Sequence, residues 1–157
     1  MNEFVGKKLG EVLAFAVVGK ETFEKGKESF SAVFGVDVLN AMIAETTQRQ
    51  ENILALAKEN GVSEIVQKKL EGTGKKLRDM RDLYVADQWD NPTELLEWSG
   101  FFEGAAIVHW ALVEGAAEGL NHHGLKEVAA KGKSFHEMVL RNVEGQLNGV
   151  GQKKAVV

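Results

Sequence analysis

The chain has 157 residues, the size of one ordinary domain with one hydrophobic core. Its 44% hydrophobic and 27% charged residues exclude a disordered chain, its net charge of −4 argues against a nucleic-acid binder, and its lack of cysteine excludes disulfides, thiolate metal sites and a cysteine nucleophile. Uncharged runs such as Val12–Gly19 and Gly104–Val113 fall far short of the ~20 apolar residues of a membrane span; Lys20 and Glu21 cut off any signal-peptide core, so the expected location is the cytoplasm.

The first predicted helix runs from about Asn2 to Phe34, with Val5, Leu9, Val12, Ala16, Phe23, Phe30 and Val33 as its apolar stripe. Gly35 stops it, and Asp37 is placed to cap the second, which reaches Asn60 with Leu39, Met42, Ile43, Ile53, Leu56 and Ala57 as its stripe. Asn60-Gly61 is a stop signal and Ser63 a candidate cap for the third helix, which carries Val66, Leu70, Leu77, Met80 and Tyr84 and invites a break at Gly72-Thr73-Gly74. Asp90-Asn91-Pro92 starts the fourth, with its proline at an early helical position. Its predicted core stripe is Leu95, Trp98, Phe102, Ala105, His109, Leu112, Ala116 and Leu120. After the turn Asn121–Gly124, which reads as solvated, the fifth helix carries Leu125, Val128, Gly132, Phe135, Val139, Val143 and Leu147.

No strand-like alternation occurs, and the connections are short. The expected fold is all-α: an up-and-down antiparallel bundle of four to five long helices, with residues 1–150 as a single domain and 151–157 as a flexible tail. Seventeen glycines is a high number for such a fold, and those inside helices mark either close helix contacts or space beside a ligand.

Two features point toward function. The first is a polar layer halfway up the bundle. His109 lies about 13 residues before the last turn and His136 about 13 after it, which in an antiparallel hairpin sets both roughly 20 Å from the turn. Thr46 and Gln50 occupy stripe positions of the second helix at a comparable level. His109, His136, Thr46 and Gln50 are therefore candidate ligand-binding residues. His109 and His136 with Glu24 and Glu45 form a candidate metal set, and two imidazoles beside glycines are also the donor pattern of a haem pocket. The architecture resembles that of ferritin-like di-iron bundles, but the ligand pattern departs from theirs: Glu45-Thr46-Thr47-Gln48 has glutamine where those proteins carry histidine, and Glu-x-x-His occurs nowhere. The simpler role for these histidines is a hydrogen-bonded structural network.

The second feature is the fourth helix itself, which is apolar nearly all round. Glu103, Ile107, Trp110 and Glu114 form a stripe beside its core stripe, a candidate interface for a partner. From Asp82 to Leu125 there are eight carboxylates and no Lys or Arg, so this segment carries −8 and the rest of the chain +4. The sequence leaves open whether the protein is an enzyme. The leading expectation is a non-enzymatic module that self-associates, as a dimer, or docks a partner through the fourth helix. The alternative is a bundle binding a metal, haem or small ligand at the middle layer.

Overall fold

The computed structural model describes all 157 residues as six α-helices and no strands: α1 Glu3–Lys25, α2 Lys27–Phe34, α3 Val36–Glu59, α4 Ser63–Val85, α5 Pro92–Gly119 and α6 His123–Ala155. The all-α bundle is as expected, with six helices rather than four or five. No helix is long and apolar enough to cross a membrane.

The extra helix comes from Gly26, where the first expected helix divides. A Cβ there would stand 2.9 Å from Leu95 Cδ1 and from Phe30 Cε2, so side chains of α5 and α2 pack directly on its backbone. The other boundaries follow from local chemistry. Asn2 accepts a hydrogen bond from the Val5 amide and opens α1. Gly35, at φ +85°, links α2 to α3 and takes the cap position that Asp37 was expected to fill; Asp37 lies in the first turn instead. Gly61, at φ +66°, makes the turn to α4. Val62, not Ser63, precedes that helix, and no side chain caps it. The helix continues unbroken through Gly72-Thr73-Gly74. Asn91 caps α5 through the amides of Thr93 and Glu94, with Pro92 at its first position.

The last turn is more than a solvated link. His122 Nδ1 accepts the Leu125 amide at 3.1 Å and caps α6, while Nε2 lies 3.2 Å from Asn60 Oδ1. With Nδ1 accepting, Nε2 carries the proton and donates to Asn60, tying the α5–α6 turn to the α3–α4 turn. Helix α6 then runs on to Ala155, past the expected end of the domain, with residues 151–157 all exposed.

Helices α5 and α6 form an antiparallel pair, whereas α1 and α4 pack side by side in parallel, Gly6 beside Val62 and Glu21 beside Arg78; α3 packs on α1 and also meets α6, and α5 lies against α1. Two apolar clusters fill the interior. One holds Phe15, Phe23, Phe30, Leu39, Leu95, Trp98, Phe102 and Phe135; the other holds Leu9, Leu13, Ile53, Val66, Trp110 and Leu125. Among the glycines, Gly132 on α6 is the most closely packed. A Cβ there would come within 2.3 Å of Trp110 Cε2 and 2.4 Å of Cζ2. Trp110 is fully buried, so the indole has nowhere to retreat. Gly132→Ala is therefore expected to cost about 1–3 kcal/mol in a urea titration by overpacking alone. An unchanged midpoint would show that α5 and α6 are not in this contact.

Candidate functional site

A polar layer separates the two apolar clusters. On α3, positions 39, 42, 46, 49, 53 and 56 alternate spacings of three and four and face inward, so Thr46 and Arg49 enter the core between Met42 and Ile53. Glu103 enters from α5 between Phe102 and Ala106, and His136 from α6 between Ala129 and Val139. Arg49 is 5% exposed, Glu103 3% and His136 2%.

His136 Nδ1 is bonded directly to Glu103 Oε2. The Arg49 guanidinium stacks 4.0 Å above the Phe135 ring centroid, and its Nη2 lies 3.8 Å from the half-exposed carboxylate of Glu45. Burial pushes the Arg49 pKa down to about 10, against the opposing pull of Glu45 and Glu103, so it remains charged at neutral pH. Arg49, Glu103 and His136 are thus one charge-compensated set, since a buried cation or carboxylate alone would cost several kcal/mol. Thr46 is satisfied within its own helix, donating to the Met42 carbonyl at 2.8 Å.

Of the residues expected at this layer, His136 and Thr46 are buried in it and the others are not brought to them. His109 faces α1: Nδ1 donates to the Ala105 carbonyl at 2.7 Å, the ring packs 5.0 Å from Phe15, and Nε2 lies 4.0 Å from Glu11 Oε2. Lys8 and Lys69 hold Glu11 from the other side, at 3.0 and 3.2 Å. Gln50 donates to the Ala16 carbonyl at 3.4 Å and Glu24 is exposed.

A carboxylate-oriented imidazole is the arrangement that prepares histidine as a metal ligand or general base. Here the remaining nitrogen, His136 Nε2, is buried without a hydrogen-bond partner, as are Nε and Nη1 of Arg49. No three His, Asp or Glu side chains converge in the chain as a set that would hold a metal. Gly132, one of the helical glycines that mark either a close helix contact or space beside a ligand, is a close contact: Trp110 packs directly on it. The residues present therefore do not fit a haem or a multi-ligand metal centre.

The expected interface stripe is placed differently. Glu103 and Trp110 are buried against α6, Ile107 is half-buried, and Glu114 accepts from Lys133 of α6 at 2.7 Å. Glu103, Trp110 and Glu114 thus join α5 to its own neighbour. The free face of α5 lies on the other side. Phe101, Val108 and Leu112 are 65%, 61% and 47% exposed, and the half-buried Ala105 completes a stripe with spacings of four, three and four. Leu112, expected in the core, belongs to this outer face.

Beside it, the C-terminal turns of α4 present Met80, Leu83 and Tyr84, which are 56%, 85% and 38% exposed. Tyr84 packs edge-on against Phe101 at 5.3 Å, and Trp98 floors the groove between them. No exposed charge interrupts α5 between Trp98 and Val113. Glu94 and Glu97 close the groove at one end: burial, then Glu97 and Glu94, push the Tyr84 hydroxyl pKa up.

Comparison with protein-family models, with curated proteins and with solved structures finds no match in any of the three.

One surface ion pair has a testable sign. Arg78 on α4 grips Glu21 on α1 in a two-bond fork, at 2.9 and 2.8 Å. The bond to Arg78 lowers the Glu21 pKa from its ordinary 4.5. The stabilisation is present above about pH 4.5 and is lost as pH falls through the lowered folded-state value. Urea titrations of wild type and Glu21→Gln are expected to differ at pH 7 and to converge in acid; a constant difference would mean the pair contributes nothing electrostatic.

Proposed function

We propose that this chain is a non-enzymatic helical module that works by self-association, a second copy covering the free face of α5 and the adjoining turns of α4. The observation that carries the reading is the continuous apolar surface of Met80, Leu83, Tyr84, Phe101, Val108 and Leu112. The largest apolar patch on an ordinary monomer is about 300–600 Å² and often functional. Six large side chains on two adjacent helices reach that range, and their surroundings enlarge the contact toward the ~800 Å² per partner of a stable dimer.

The chemistry of the face favours a protein surface like itself. It is uncharged through three helical turns, and Gly104 and Gly115 have open space above them, so another helix can approach closely. Native mass spectrometry over a dilution series tests this. A species at twice 17.2 kDa that dissociates on dilution is the expected result. A single 17.2 kDa species at every concentration would overturn the proposal.

A further inference from the structure

Resting on that reading, we infer that the two copies pack their α5 helices antiparallel, about a two-fold axis that passes beside Ala106 and Ile107. The spacing of the outer stripe carries the inference. Phe101, Ala105, Val108 and Leu112 are separated by four, three and four residues, which reads the same from either end. A two-fold interface brings one surface against itself, so each residue meets the position that mirrors it through the axis. In the antiparallel register Phe101 lies beside the partner's Leu112, and Ala105 beside the partner's Val108. Each large side chain is matched across the axis, and the small alanine faces the next larger side chain. In a parallel register Phe101 would meet the partner's Phe101 and Ala105 the partner's Ala105, leaving a gap one turn from a bulge.

Charge selects the same arrangement. The stripe continues at its N-terminal end into Glu94 and Glu97, and α5 contains no Lys or Arg. A parallel pair would set these carboxylates against their own copies, which costs stability. The antiparallel pair sets Glu94 beside the partner's Gly119 and Glu97 beside the partner's Ala116. The C-terminal end of α5 is suited to receive this neighbour: Gly115 and Gly119 have nothing within 4 Å of a would-be Cβ. That flat end is also where Met80 and Leu83, next to Phe101, meet the partner. The knob of one copy thus seats on the smooth end of the other, twice in each dimer.

The chain has no cysteine of its own, so engineered thiols report the register directly. Phe101→Cys and Leu112→Cys are prepared separately and oxidised mildly, alone and as an equimolar mixture. In the antiparallel register the two copies of either position are offset by 11 residues, about 16 Å along the helices, well beyond disulfide reach. The mixture brings residue 101 beside residue 112 and keeps one native Phe101–Leu112 contact in each mixed dimer. The expected result is a mixed-linked product at least about tenfold more abundant than either self-linked one. Self-linking of each variant alone would overturn the antiparallel register while leaving self-association standing. No linking of either variant or of the mixture, with the wild type still sedimenting as a dimer, would place the interface on another face and overturn the inference. A monomeric wild type would overturn the underlying proposal as well.

Discussion

Glu103→Leu is expected to lower stability by about 3–5 kcal/mol, the cost of removing one partner from a buried charge network. At about 2–4 °C per kcal/mol for a domain of this size, Tm falls by roughly 6–20 °C. The substitution keeps an apolar side chain of similar volume, so lost packing contributes little. What it removes is the only carboxylate within the layer. His136 Nδ1 loses its acceptor, and the Arg49 guanidinium is left with Phe135 below it and Glu45 at 3.8 Å toward solvent. Calorimetry at one fixed protein concentration checks the shift, since self-association links Tm to concentration. The triple variant Arg49→Met, Glu103→Leu, His136→Leu separates charge imbalance from loss of fold, because replacing the whole set with apolar side chains leaves no unpaired charge in the layer. It is expected to recover most of the loss. A Glu103→Leu protein within about 0.5 kcal/mol of wild type would show that Arg49, Glu103 and His136 are not coupled.

The second large effect is on association. Leu83→Glu with Phe101→Glu is expected to weaken self-association by at least about 100-fold, on the order of 3 kcal/mol. The two carboxylates would be carried out of water into an apolar contact, and neither α5 nor the loop before it holds a cation to receive them. The folded monomer is expected to change by less than about 0.5 kcal/mol, because both side chains stand mostly in water, at 85% and 65% exposure. Far-UV circular dichroism should therefore be unchanged while the dissociation constant moves.

The helices and most of their ends were legible in the sequence, because stop signals such as Asn60-Gly61 and Asn91-Pro92 act locally. The break at Gly26 was not. Gly10 and Gly19 sit in the same helix without breaking it, although Lys69 and Phe102 from distant helices pack on them as Leu95 packs on Gly26, so no local signal sets Gly26 apart. A middle polar layer was legible from Thr46 and His136, yet its charged members were missed. Arg49 carried a signal: it stands in the three-four register of its helix, where an unpaired charge is not tolerated, so a buried carboxylate had to lie opposite. Glu103 was noticed and assigned outward. The reason is physical: α5 is apolar around most of its circumference, so periodicity alone cannot say which side meets α6 and which meets water. Only packing decides, and Gly132 decides it by admitting Trp110 and turning Phe101, Val108 and Leu112 outward.

The central claim is that this outward face is covered by a second copy. Sedimentation velocity on the wild type beside the Leu83→Glu, Phe101→Glu variant, over the same concentration range, tests it most directly. The account predicts a wild type at twice 17.2 kDa and a folded variant at 17.2 kDa. A wild type that sediments as a monomer throughout, or a variant that stays dimeric, would contradict it.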